Sequence, residues 1–300
     1  RIGGIGGGPV TAARNFDPAT TVTQGTLIPA VLETAINTDV PGYVRAIVSQ
    51  DVRSYDGRLF ALDEHLARFE RSLKDILIFD VDMADIRRRV EGAFAACGLA
   101  NAKLYFHITR GSEPRNHLPR PDLEVNFFLT AEALGEDVKA KTQGVAVWTH
   151  PDWRWKRCDI KSLNLLANVM ARIAVQPKGA SEAILVNEAG QITEGAGSAF
   201  FAIDGKEKAL ITRPLGPEIL PSITRAMVAK VAGNAGLTMV ERAISPAEAL
   251  ACDELFLAVT TKDIVPITRF DGQPVGRGAV GPLCEALIRE FAAFVRAGRG

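Results

Sequence analysis

Long apolar runs are missing from this 300-residue chain, and the longest fall far short of a bilayer span, so no membrane partner is expected. An excess of one charge is missing too. Lys plus Arg and Asp plus Glu stand at 35 each, a balance that favours neither nucleic acid nor an anionic surface. Cysteine is scarce: Cys97, Cys158, Cys252 and Cys284 are scattered and form no C-x-x-C pair. That spacing excludes a disulfide scaffold and a structural zinc; no metal is expected, and a reducing cytoplasm fits. Nothing at the start reads as a signal peptide. The opening RIGGIGGGPV is rich in glycine but lacks the G-x-G-x-x-G spacing and a strand before it, so it is no nucleotide loop. A flexible leader over residues 1–24 is expected instead.

The remaining composition, 47% hydrophobic and 23% charged, is that of an ordinary globular protein of one or two domains. Ile47 to Arg53 and Arg58 to Leu62 flank the turn Tyr55-Asp56-Gly57 and read as a hairpin. Leu66, Phe69 and Leu73 share one face of a helix over 65–77, and a second helix over 83–97 ends near Gly98. Strands over 103–110 and 123–129 complete a small α+β unit, assigned to residues 25–133. Apolar patterning lapses over 134–143, which reads as an interdomain linker.

The second unit, 144–300, opens on a strand over 145–150. Leu163, Leu166, Ala167, Met170 and Ala174 then mark one helix face, stopped by Pro177-Lys178-Gly179. Strand-like runs over 183–186, 191–194 and 199–203 suit an antiparallel meander. A helix over 222–235, a strand over 255–260, a hairpin at Asp271-Gly272 and a helix from Pro282 finish the chain.

Some residues could carry chemistry. Lys161 lies between a strand and a helix, where partial burial would lower its pKa enough for it to attack an aldehyde. Most lysines are solvated surface groups, so this one gains weight only from its company. Glu194 ends a strand before the turn Gly195-Ala196-Gly197-Ser198; a turn carboxylate in water is the plain alternative. Ser222, Ile223 and Thr224 open a helix after Pro217 and Pro221, where free N–H groups and the dipole favour a phosphate. Thr260 and Thr261 offer hydroxyls, and Arg68 is a permanent cation from the first unit.

In order and spacing these segments, from about residue 25 to 300, resemble the fold-type IV pyridoxal-phosphate enzymes, which include D-amino acid and branched-chain aminotransferases. YDGRLFALDEHLARF is similar to the phosphate-arginine segment and assigns Arg68. RCDIKSLNLL resembles the Schiff-base segment and assigns Lys161; ITEGAGSAFF resembles the pyridine-nitrogen segment and assigns Glu194. LPSITR and AVTTKDIVP resemble the phosphate segments and assign Ser222, Ile223, Thr224 and Thr260. RGSEPRNH resembles the loop that grips a substrate α-carboxylate in the D-amino acid subgroup, which assigns Arg115 and His117; Ser198 and Thr261 fall on the substrate side. Branched-chain enzymes usually carry a tyrosine where this chain has Leu165 or Leu166.

The resemblance implies an α/β (α+β) fold of two domains, a small N-terminal α+β domain and a larger β-rich C-terminal domain with helices. It implies pyridoxal 5′-phosphate as cofactor, an amino donor and a 2-oxo acid as substrates, and a homodimer with shared active sites. A D-amino acid transaminase with ping-pong kinetics is the expected activity. An (R)-selective or mixed-specificity transaminase comes next, then an aminodeoxychorismate-lyase-like enzyme; from another class, a non-catalytic binding protein is opposed by the intact pair of Lys161 and Glu194. The chain departs from the family pattern in four places. AIVSQDV replaces the usual G-D-G-V-[FY]-E; Ser49 or Gln50 stands where an aromatic hydroxyl completes the carboxylate trap; Ser222 replaces a glycine; Ala199 replaces an asparagine.

Overall fold

Residues 47–114 and 117–298 are described by a computed structural model; the expected leader lies outside them. Strand β1 (Ile47–Tyr55) turns at Asp56 and Gly57 into β2 (Arg58–Leu59). The second arm of the hairpin is shorter than its sequence suggests, because Ala61 takes a left-handed φ of 53° and α1 (Leu62–Asp75) begins at once. The unit continues with α2 (Met83–Cys97), β3 (Ala102–Thr109) and β4 (Asn126–Ala133). Its antiparallel sheet runs β2-β1-β3-β4. The periodic face of α1, Leu66, Phe69 and Leu73, is buried with Leu104 and Phe106 of β3. Asp82 starts α2 by accepting the N–H groups of Ala84 and Asp85, and Gly98 ends it at a φ of 66°.

Residues 134–143 hold a short helix, α3 (Val138–Gln143), whose Ala140 is buried in the second unit's core. Then follow β5 (Val145–Pro151), α4 (Leu166–Val175), β6 (Glu182–Val186), β7 (Ile192–Gly195), β8 (Ala199–Asp204), β9 (Ala209–Thr212) and α5 (Ile223–Ala232). The chain closes with β10 (Thr238–Glu241), α6 (Pro246–Ala251), β11 (Glu254–Val259), β12 (Asp263–Phe270), β13 (Gln273–Pro274) and α7 (Pro282–Arg296).

The mixed sheet runs β10-β9-β8-β11-β12-β5-β6-β7, with β13 paired to β12. Only β6 and β7 form the expected hairpin, so the three-strand meander is corrected: β8 pairs with β9 and β11 instead. The reason is closure. Strands β7 and β8 are five positions apart in the sheet, yet three residues join them. Four Cα steps reach about 14 Å, whereas five strand spacings in a flat sheet need about 24 Å. The sheet must curl until β7 returns beside β8, and this curl brings the turn 195–198 into the interior of the site.

Most of these strands are covered on both sides, which explains their continuous apolar runs. Ala199, Phe201 and Ile203 of β8 face α5 and α7, with Met227, Val228, Leu287 and Phe291. Phe200 and Ala202 face the other way, with Val147, Ile184 and Leu257. The expected inner face of α4 is also corrected. Ala171 and Val175 are buried, while Leu166 is 73% and Met170 46% exposed. The longer apolar side chains point away from the sheet, and small ones pack against it.

Candidate active site

Lys161 lies between a strand and a helix, as expected, but well away from the end of either. It lies in the loop between β5 and α4, and that loop is docked on the other unit. The Lys161 carbonyl accepts the Ser49 N–H at 3.0 Å, its own N–H donates to Ser72 Oγ at 3.2 Å, and Ser162 bridges to Val48. Lys161 therefore completes a rung on β1. Its Nζ lies 3.0 Å from Asp51 Oδ2 and 3.4 Å from Ser49 Oγ. Burial lowers the Nζ pKa, Asp51 opposes that, and the Arg68 charge adds to the lowering.

A cavity of about 380 Å³ opens between the units. Arg68, Lys161 and Glu194 all line it, as do Ser198, Ser222 and the pair Thr260 and Thr261. Arg68 projects from α1. Its Nη1 donates to the Pro221 carbonyl at 3.0 Å and its Nη2 to Gln50 Oε1 at 2.6 Å. Both acceptors are neutral. Among the described residues no carboxylate pairs with this buried guanidinium, and its Nε has no partner. Burial brings its pKa down to about 10. A buried, uncompensated cation is costly unless an anion completes it.

The α5 N-terminus faces the same region. Ser222 Oγ caps the helix by accepting the Arg225 N–H at 3.2 Å, and the Ser222 carbonyl accepts from Ala226 at 3.1 Å. The N–H groups of Ile223 and Thr224 are thus the leading donors of the helix, both residues being buried. Thr260 and Thr261 form the turn between β11 and β12. Arg53 holds it, donating through Nη1 to the Thr261 carbonyl at 3.1 Å.

Glu194 is buried at the end of β7. Its Oε1 accepts Arg154 Nη1 at 2.5 Å and the Leu220 N–H at 3.1 Å, while among the described residues Oε2 has only Leu220 at 3.3 Å. Burial, opposed by Arg154, pushes its pKa up to about 7. Arg154 is held in turn by both oxygens of Asp152, at 2.9 and 2.8 Å. The following turn is fixed from two sides: Asn168 donates to the Ala196 carbonyl at 2.7 Å, and Glu182 accepts from Gly197 N–H at 3.2 Å and Ser198 Oγ at 3.4 Å. A Cβ at Gly195 would stand 2.1 Å from Ser198 Oγ, so a side chain there would push that hydroxyl off Glu182.

Arg115 lies outside the described residues. His117 is exposed on its loop and is not brought to the cavity within this chain. Strand alternation separates Ser49 and Gln50: Ser49 faces Lys161, and Gln50 turns back to Arg68. An aromatic hydroxyl, Tyr105, stands on the neighbouring strand opposite Asp51, outside the cavity lining. Tyr105 is hydrogen-bonded to Ser49 and sits 3.2 Å from His107 Nδ1; burial and the Asp51 charge push its pKa up to about 12. Asp51, Tyr105 and Arg154 were missed from sequence. Only Arg154, in WRWKRCDIK, stood close enough to a recognised segment to attract notice.

The donor set fits pyridoxal 5′-phosphate. It offers an amine of lowered pKa, a buried carboxylate with one oxygen lightly engaged, and an uncompensated guanidinium beside a helix N-terminus.

Comparisons with known proteins agree. The profile of the family described as amino-transferase class IV matches residues 51–270. A second profile, of a bacterial conjugation TrbI-like protein, matches only residues 21–69 and carries no argument. The chain is 37% identical over 237 residues to a D-alanine aminotransferase of Bacillus licheniformis, covering 79% of this chain and 83% of that protein. In fold it resembles the branched-chain amino acid aminotransferase of Escherichia coli, with TM-score 0.76, 24% identity and 83% and 85% of the two chains covered. An aminotransferase of Mycobacterium tuberculosis solved in a PLP-bound form aligns with TM-score 0.75 at 18% identity, covering 94% and 96%.

Proposed function

The chain belongs to the class IV aminotransferase family, as a pyridoxal-phosphate-dependent transaminase acting on amino and 2-oxo acids, and from that premise we propose that its amino donor is a D-amino acid. The convergence of Lys161, Glu194 and Arg68 on one cavity supports the cofactor chemistry, and the observation that carries the D-amino acid donor is the set of relatives named D-alanine aminotransferase.

When bound, pyridoxal 5′-phosphate supplies an aldehyde for the amine and a ring that takes up the electrons of the Cα–H bond. Arg68 takes the phosphate charge, with the N–H groups of Ile223 and Thr224 and the hydroxyls of Ser222 and Thr260 as neutral donors. Lys161 Nζ would hold the cofactor and, as an amine facing the cavity, would move the proton on and off the substrate Cα. Glu194 keeps the ring nitrogen protonated, and Arg154 aims its carboxylate. Arg115 and His117 take the α-carboxylate of a donor bound in the partner subunit's site, since His117 does not line the cavity of its own chain. Ser198 and Thr261 border the substrate side.

We take residues 25–133 and 144–300 as two domains joined over 134–143, and the chain as a cytoplasmic homodimer. The exposed side chains of α4, Leu166, Val169, Met170 and Ile173, are the kind of surface a second copy covers. Among the described residues no helix is long and apolar enough to cross a membrane.

A second reading, an (R)-selective or mixed-specificity transaminase, is favoured by one observation. Asp51 sets a negative charge beside Ser49, on the side where the substrate carboxylate is expected. The relatives named D-alanine aminotransferase favour the first. A donor panel separates them. Purified yellow protein should bleach with D-alanine and not with L-alanine, and parallel double-reciprocal lines should follow with pyruvate or 2-oxoglutarate as acceptor. Bleaching by aryl amines alone would replace the first reading with the second.

A further inference from the structure

Resting on the reading of Lys161 as the residue that holds the cofactor, we propose that Asp51 is a positioning residue for Lys161: its carboxylate accepts a hydrogen bond from the proton-bearing Nζ, aims that nitrogen into the cavity, and keeps the proton on it.

The placement follows from β1. Residues 49 and 51 share a face of the strand, and the rung that docks Lys161 on β1, through Ser49 N–H and Val48, sets the lysine stem along that face. Nζ then reaches Asp51 Oδ2 at 3.0 Å and Ser49 Oγ at 3.4 Å, one charged acceptor and one neutral. Among the described residues Lys161 is the cation that Asp51 pairs with. The Asp51 side chain is 31% exposed and lines the cavity, so it stands in the working space and is not sealed behind it.

The surroundings make this carboxylate matter. Arg68 and His65 come from α1, Lys103 and Tyr105 from β3, Arg172 from α4, and the Glu194–Arg154 pair from beyond the cavity. His65 is held neutral, burial being the largest cause, with the charges of Arg68 and Lys161 adding to it. Tyr105 keeps its proton and Glu194 is engaged by Arg154. Burial and Arg68 both drive the proton from Nζ, and Asp51 is the group that opposes them. Without it, burial and the Arg68 charge would act on Nζ unopposed; with it, the proton on Nζ has a charged acceptor 3.0 Å away.

The test uses the holoenzyme. Borohydride reduction followed by peptide mass analysis should find the cofactor mass on Lys161. The visible absorption band is then titrated against pH in the native protein and in Asp51→Asn, Asp51→Ser, Asp51→Glu and Ser49→Ala. Removing an anion at this distance should lower the midpoint in both neutral variants by about one pH unit, tenfold in proton affinity. Asp51→Glu, which keeps the charge, should stay nearer the native midpoint, as should Ser49→Ala. A native band that does not titrate while those of the neutral variants do is the same result in stronger form. Unchanged midpoints in both neutral variants, with the cofactor mass still on Lys161, overturn the role of Asp51 alone. A cofactor mass absent from Lys161 overturns the underlying reading, and this one with it.

Discussion

Glu194 illustrates how much of the site depends on groups behind the reacting ones. Its pKa is pushed up to about 7 by burial, against the pull of Arg154. The folded value lies above that of a free carboxylate, so the charge forms only as pH rises through about 7. A ring nitrogen carrying a proton meets an anion above that point and a neutral acid below it. Cofactor affinity of the cofactor-free protein is therefore expected to weaken as pH falls from about 8 to about 6, and Glu194→Gln should flatten that slope and lower kcat by about 10²–10⁴-fold. Equilibrium binding of the cofactor across that range checks it; equal slopes in the two proteins would count against the assignment. ITEGAGS drew attention to Glu194, and their own segments to Arg68, Lys161, Ser222 and Thr260, all of which line one cavity. Asp51 and Tyr105 were not legible. Their relevance comes from the β1–β3 register, which sets Asp51 opposite Tyr105, and a single strand does not reveal which residue its neighbour presents.

At the scale of elements, local pattern identified α1, α2, β3, β5 and α7 well, because each buries one face in its own unit. It misjudged α4 for a physical reason. The stripe of Leu166, Met170 and Ala174 has helical period, but period says only that a face is apolar, not what covers it. In this chain Ala171 and Val175 face the sheet and the larger side chains face outward. The protein should accordingly sediment at twice the mass of the 32.2 kDa chain. A double change, Val169→Asp with Ile173→Asp, should shift it toward one copy while leaving the far-ultraviolet spectrum intact, since neither position touches the sheet. A dimer that persists unweakened would mean that another face pairs the chains. The meander failed for a related reason: alternation does not encode the curl that sends β8 across the sheet, and three small turn residues give little sign of it.

Over the whole molecule, the two units meet through charges as well as through the cavity. Arg53 of β1 pairs with Asp263 of β12 at 3.0 Å, Lys141 of α3 adds a second bond at 2.7 Å, and the Tyr55 hydroxyl donates to the same carboxylate. Arg53 and Asp263 are 6% and 9% exposed, so this cluster is nearly out of water. Asp263 also takes a φ of 61°, which asparagine tolerates. Asp263→Asn should therefore preserve the turn yet leave two cations under-compensated, costing about 3–5 kcal/mol, read as a lower urea midpoint. A loss under about 1 kcal/mol would place the charges in contact with solvent. The rung that joins Lys161 to β1 carries a further consequence. The lysine is covalently part of one unit, but its backbone direction is set by the other, so neither half alone presents an aimed amine. Colour in this protein is thus a report on assembly: two separately made halves, colourless apart, would turn yellow together only as their strands zip at Val48 and Ser162.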